Sequence, residues 1–240
     1  YEIMPSLVGS EMCIRDSTLT LPSTGDKLKY RPFLVKEQKA MMMAQETEDD
    51  TSIQDAIAQC IQACTFEKID PWILPAFDME YIFLKIRGKS IGEKIELTVL
   101  APDDDETEVP ITVDLTKVEC TMTEDHTNEI ELTDTVKLIM KYPTLKQTAI
   151  LEDTSESVRM FDMIKSCVYQ IVDGETIHQD IDIPSEELEV FIENMSSLHL
   201  EKVTDFFETM PKLTYLAKVT NPKTKKKGEV LIEGFASFFE

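Results

Sequence analysis

The sequence predicts an α+β fold with an N-terminal hairpin and helices, a central antiparallel β-rich segment, and C-terminal helices closed by a β-hairpin. Three observations predict it. Apolar residues recur at helical spacing on both sides of the middle of the chain, Val, Ile and Thr alternate with polar residues in the middle, and turn-forming residues separate the alternating runs. The chain has 240 residues, of which 42% are apolar, and a chain of this size can bury a packed core.

The N-terminal part is expected to hold a hairpin followed by three helices. The turn signal Ser23–Asp26 separates two alternating runs, Thr18–Pro22 and Lys27–Tyr30, which is typical of a β-hairpin. Helix-forming residues at helical spacing follow, and Gly88 favours the end of the third helix. The predicted helices are Phe33–Gln45, Ile53–Cys64 and Asp78–Lys89.

The middle of the chain is expected to be a β-rich insertion over about residues 93–142, because its β-branched residues repeat with period two. The predicted strands are Lys94–Leu100, Val109–Asp114, Lys117–Met122 and Glu129–Lys141.

The C-terminal part is expected to be helical over about residues 154–211 and to close with a hairpin over about 212–233. Ser185 is expected to cap the second of its three helices, and Ile177–Ile183 alternates. The predicted helices are Ser155–Val172, Leu188–Asn194 and Leu200–Met210, and the hairpin strands are Thr214–Thr220 and Glu229–Glu233. A short aromatic turn of helix is expected over residues 234–240.

Residues 1–17 differ in sequence pattern from the rest of the chain and are excluded from the predicted fold. Within them Ser6–Ser17 resembles a peptide translated from sequencing-adapter DNA, so we expect either such an artefact or a disordered leader. The stretch has neither the basic region nor the sustained apolar run of a secretory signal. The folded region is therefore expected to span 18–240, and the coding sequence to begin near Thr18.

The chain is strongly acidic, with a formal net charge of −22. This balance argues against binding to a nucleic-acid backbone or to anionic lipid, because both need a basic surface. The acidic run Asp103–Glu106 lacks the spacing of a calcium-binding loop, so a solvated hairpin tip is expected. Lys223–Lys227 is the one basic cluster, and we expect a solvated turn or a contact to an acidic protein.

No signature of catalysis or cofactor binding stands out. The sequence lacks a P-loop, a GxGxxG, a GxSxG and an HExxH motif, and its three histidines are far apart. Among five cysteines, Cys60 and Cys64 share a helix face and could contribute two metal ligands, but small buried apolar side chains are the favoured interpretation. We expect no enzyme, no cofactor and no metal, and instead a protein that acts by interaction or assembly.

Three stretches, taken in order and spacing, resemble one family. They are the start TLTLPSTGDKLKYRPFLVK (18–36), the centre LPAFDMEYIFLKIRGKSIGEKIELTV (74–99), and an end combining FFETMPK (206–212), NPK (221–223) and IEGFASFF (232–239). This pattern resembles the baseplate hub subunit and hub assembly protein family of T-even-type contractile-tailed bacteriophages, over about residues 18–240.

The resemblance implies a late structural protein of a myovirus that helps to build the central hub of the tail baseplate. Its partners would be other baseplate hub and tail proteins, and it would be found in the virion tail baseplate or in the host cytoplasm during assembly. Whether it stays in the virion is left open. Two alternatives remain from the residues alone: an acidic DNA mimic that inhibits a host DNA-binding protein, and a metal-dependent enzyme.

Two apolar segments are candidate partner contacts, because exposed aromatic side chains often anchor interfaces. One is the loop bounded by Asp70 and Pro75, and the other is the aromatic C-terminus. The candidate residues are Trp72, Ile73, Leu74, Phe235, Phe238 and Phe239. The alternative is that both segments only close the core.

Overall fold

The computed structural model describes residues 16–47, 50–104, 106–150, 156–234 and 236–238. Helices and small antiparallel sheets make up this part of the chain, which confirms the α+β class. The helices are α1 (Val35–Gln45), α2 (Asp50–Cys64), α3 (Ala76–Ser90), α4 (Leu145–Ile150), α5 (Glu156–Cys167), α6 (Ser185–Glu193) and α7 (Ser197–Thr209). Short 3-10 helices cover Leu115–Lys117, Asp180–Asp182 and Ala236–Phe238.

The strands of the described ranges form four separate antiparallel sheets. They are β1 (Ser17–Thr20), β2 (Lys27–Tyr30), β3 (Lys94–Leu100), β4 (Glu108–Asp114), β5 (Glu119–Thr121), β6 (Glu129–Glu131), β7 (Val136–Met140), β8 (Val168–Asp173), β9 (Thr176–Gln179), β10 (Lys212–Thr220) and β11 (Lys227–Glu233). The pairs β1–β2 and β3–β4 stand alone, and the larger sheets have the orders β11–β10–β5 and β6–β7–β8–β9. The three-stranded sheet joins β5 from the middle of the chain to the C-terminal hairpin, and the four-stranded sheet joins two hairpins that are separated in sequence by α4 and α5.

Helix α3 lies between two of the three main cores. Ile82 and Ile86 pack in the first core, against the β1–β2 hairpin and α2. Leu84 packs in the third core, with residues of β4, β10 and β11. A helix that is buried on more than one side carries apolar residues around much of its circumference, which explains the unbroken apolar run Tyr81–Leu84.

Buried polar contacts hold the N-terminal hairpin and α1 in place. The fully buried carboxylate of Asp78, in the first turn of α3, accepts hydrogen bonds from the backbone N–H and the hydroxyl of Ser23 at the hairpin tip. Glu37 accepts from the Leu34 N–H at 2.7 Å and from the Arg31 guanidinium at 2.9 Å. These bonds satisfy charges that would be costly to bury alone.

The second core lies between the four-stranded sheet and helices α5, α6 and α7. Ser196 caps α7, because its side-chain oxygen accepts a hydrogen bond from the His199 N–H at 3.2 Å. The cap expected from Ser185 is wrong, since Pro184 holds the cap position of α6 and no side-chain bond caps it. Ser185 is instead the first helical residue.

Two predicted elements were wrong in their extent. The single strand expected over residues 129–141 is divided into β6 and β7, because Thr133 forms a turn in which its hydroxyl accepts from the Val136 N–H at 3.0 Å. The helix expected over residues 155–172 ends at Cys167 and continues as β8. Helix α4 was not predicted at all.

No helix within the described ranges has the length and apolar character that crossing a bilayer requires.

Candidate functional site

The loop before α3 presents one apolar side chain to solvent. Its turn is fixed by Asp70, whose carboxylate accepts from the Trp72 N–H at 3.0 Å and whose carbonyl accepts from the Ile73 N–H at 3.3 Å. Trp72 and Leu74 are half-buried against the first core, whereas Ile73 is 71% exposed. Of the three residues expected here as partner contacts, Ile73 is thus the one that projects from the surface.

The aromatic C-terminus behaves differently. Phe238 is 1% exposed and lies in the third core. This placement corresponds to the alternative that the aromatic C-terminus closes the core and does not contact a partner. Gly234 has a φ of +78°, a backbone conformation that glycine adopts without strain, and it turns the chain from β11 toward this position. Phe235 and Phe239 lie outside the described residues, so their expected role remains a prediction.

The acidic tip of the β3–β4 hairpin and the basic tip of the β10–β11 hairpin meet in the structure. The side-chain amide of Asn221 donates to Asp103 at 2.8 Å and to Asp104 at 3.0 Å, and the Thr224 hydroxyl donates to Asp103 at 2.6 Å. The bonds from Thr224 and Asn221 hold the pKa of Asp103 below its ordinary range. The pKa of Asp104 is lowered mainly by hydrogen bonds from the hydroxyl and backbone N–H of Thr107, with a smaller contribution from Asn221. The acidic tip was expected to be solvated; Asp103 is exposed, and Asp103 and Asp104 also bond to the neighbouring tip, which the sequence did not indicate.

This contact orders the turn that carries the lysines. The side-chain oxygen of Asn221 also accepts from the backbone N–H groups of Lys223, at 2.8 Å, and Thr224, at 3.2 Å. The four lysines of the tip are exposed, and none of them forms an ion pair with another described residue. The tip is therefore an ordered basic turn on an otherwise acidic chain.

Sequence reasoning missed a polar junction centred on His126. Its ring nitrogens lie 2.9 Å from the Thr209 hydroxyl and 3.0 Å from the Tyr142 hydroxyl, and its ring stacks on Tyr142. Burial lowers the pKa of His126, which favours the neutral ring. No local signal could reveal this junction, because its members are separated by up to 83 residues.

Of the cysteines that the structure describes, Cys60, Cys64 and Cys167 are buried and Cys120 is partly buried. Cys60 and Cys64 are buried in the first core with their sulfur atoms 4.0 Å apart. Burial raises the pKa of Cys167 to about 11 and that of Cys120 to about 12, which keeps both as thiols at neutral pH. Within the part of the chain that the structure describes, no cluster of three or more His, Cys, Asp or Glu residues could hold a metal ion.

Comparison with known proteins gives the class of this molecule. Residues 14–240 match the family model described as T4 bacteriophage base plate protein. The molecule is therefore a phage baseplate structural or assembly protein, a class that is usually non-enzymatic. Searches among curated proteins and among solved structures found no match.

More particularly, the chain belongs to the T4-type baseplate protein family, since the match covers nearly its whole length. Membership implies a location in the virion tail baseplate and contacts with other phage tail proteins. The matched region begins three residues before β1.

Proposed function

We propose that this protein builds the central hub of a contractile tail baseplate, as a hub subunit or as a hub assembly factor, and that it acts by docking onto other hub and tail proteins. The observation that carries the proposal is the family match over residues 14–240. The order and spacing of the three sequence stretches that resemble hub proteins support the finer assignment to the hub.

The surface supports a docking role. Ile73 stands out from a turn that is held by two hydrogen bonds to Asp70, beside the partly covered Trp72 and Leu74. An apolar side chain on an ordered turn loses little conformational freedom on binding, which favours its use as an anchor. We propose Trp72, Ile73 and Leu74 as one contact with a hub partner, and Phe235 and Phe239 as a second contact.

An amber allele of the gene in its phage tests the proposal. Under non-suppressing conditions we expect tails without a completed hub, visible by electron microscopy, and normal heads. Intact, infectious tails would refute the hub role.

Mass spectrometry of purified wild-type virions then separates the two forms of the proposal. Stoichiometric recovery of the chain identifies a subunit, and its presence only in infected-cell extracts identifies an assembly factor. Co-purification with a nuclease or polymerase instead of tail proteins would favour the DNA-mimic alternative.

A further inference from the structure

A groove of about 560 Å³ opens between α5 and the corner where α6 meets α7. This volume lies within the range of roughly 300–1,000 Å³ that is typical of binding clefts. Val158 and Phe161 of α5 form one wall, and Ile192, Met195 and Leu200 lie opposite them. The groove therefore has an apolar floor bounded by helices.

The wall formed by α5 exposes two apolar side chains to solvent. Val158 is 49% exposed and Phe161 is 40% exposed, although they are separated by one helical turn and face the same groove. The next turn of α5 is covered, because Ile164 and Cys167 are buried in the second core. The first half of this helix thus offers an apolar surface that the described residues leave partly uncovered.

The rim of the groove is acidic. Asp162, Glu189 and Glu193 lie along it against one base, Lys165. Lys165 already lies 3.4 Å from both Asp162 and Glu189, so it is shared between two carboxylates. Helix α6 as a whole carries four acidic residues and no basic one.

We propose that this groove binds an amphipathic helix of another tail protein, with an apolar face toward Phe161 and with Lys or Arg along its edges. The inference rests on the proposed docking function and names its surface and the chemistry of its partner. A helix lays apolar residues spaced three or four apart into such a groove, whereas an added strand would need a free sheet edge. A second copy of this chain would bring the acidic α6 against another acidic surface, so charge complementarity selects a basic partner.

Synthetic peptides test the groove directly. The probe is a fluorescein-labelled Leu/Lys amphipathic helix of about 14 residues, or four turns. Its controls are a scrambled Leu/Lys peptide without an apolar face and a Leu/Glu peptide with the same apolar face. By fluorescence anisotropy at physiological ionic strength, we expect the amphipathic Leu/Lys helix to bind the full chain at least about tenfold more tightly than either control.

Matched variants locate the binding. Phe161→Ser and Val158→Ser should each weaken binding, by about tenfold for Phe161 because it loses the burial of an aromatic side chain. Ile177→Ser changes a side chain that is 60% exposed on β9, outside the groove, and should leave affinity unchanged. All three residues are solvent-exposed, so the melting temperature should stay the same and separate lost contact from lost folding.

Several results would overturn the proposal. They are equal binding of the scrambled peptide, equal binding of the Leu/Glu peptide, unchanged affinity of Phe161→Ser, and a wild-type dimer that Phe161→Ser converts to monomer. If the amber allele blocks hub assembly while no peptide binds, only the groove proposal fails. If the amber allele leaves tails intact, the hub function fails whatever the peptides do.

Discussion

The same substitution, glycine to alanine, should have opposite effects at two positions of this chain. Gly88 lies inside α3, where an added Cβ would stand 3.6 Å from the Leu115 Cβ, an ordinary van der Waals contact. Alanine has a higher helix propensity than glycine and restricts the unfolded chain more. Gly88→Ala should therefore raise the free energy of unfolding by about 0.5–1 kcal/mol.

Gly228 lies in β11, where an added Cβ would stand 2.5 Å from Cγ of the Pro102 ring. A proline ring has little freedom to move aside, so the β3–β4 tip must shift away from the β10–β11 tip. We expect Gly228→Ala to lower the free energy of unfolding by about 1–3 kcal/mol, as overpacking typically does. The shift also weakens the hydrogen bonds of Asn221 to Asp103 and Asp104.

Urea unfolding followed by circular dichroism measures both effects, since a changed midpoint at constant slope reports a change in stability. Thermal unfolding gives an independent check. If Gly228→Ala is as stable as the wild type or more stable, the close approach of the two hairpin tips is wrong. If Gly88→Ala is less stable than the wild type, the expectation that a Cβ fits beside Leu115 is wrong.

Three further predictions concern buried and exposed side chains. Burial raises the pKa of Glu80 from its ordinary 4.5 to about 7, so the folded chain binds more protons than the unfolded chain and Glu80 lowers the free energy of unfolding progressively as the pH rises from 4.5 to 7. Glu80→Gln should therefore raise the free energy of unfolding by up to about 3 kcal/mol at pH 8 and by almost nothing at pH 4. Equal urea midpoints of wild type and variant at pH 8 would contradict this. Phe238→Ala should lower the free energy of unfolding by about 3–5 kcal/mol because its side chain is buried, whereas Ile73→Ser should stay within about 0.5 kcal/mol of wild type. Thermal unfolding measures both, and the reverse order would contradict the placement of both side chains. Asn221→Ala should speed proteolysis by trypsin at the lysine turn, since that turn loses its anchoring hydrogen bonds, and unchanged cleavage would show that the turn is ordered by other contacts.

Much of the fold was accessible from the sequence because helix and strand patterns depend on neighbouring residues. Strand β3 has the predicted bounds, since the alternation of Lys94–Leu100 is local and turn residues follow it. Helix α3 was predicted to within two residues at its start and one at its end, because the acidic first turn and the basic last turn signal a helix by themselves. Gly88 was expected to favour the end of this helix, but it lies inside α3, which continues to Ser90.

Local sequence signals could not predict the boundary between α5 and β8. The residues after Cys167 satisfy both a helical and an alternating pattern, and pairing decides between them. Leu138 of β7 pairs with Ile171, and Lys137 pairs with Val172, which draws the chain into the sheet. Propensity is a weak preference, and a complete ladder of hydrogen bonds to a neighbouring strand outweighs it.

Composition and local pattern determined the class of fold and most of its helices and strands, and three sequence stretches carried the resemblance to phage baseplate proteins. The tertiary structure alone decided that Phe238 is buried while Ile73 is exposed, that the acidic and basic tips touch, and that α5 leaves Val158 and Phe161 beside a groove. The physical reason is distance along the chain. Asn221 is 118 residues from Asp103, and such contacts depend on how separate elements pack, which a local pattern does not encode.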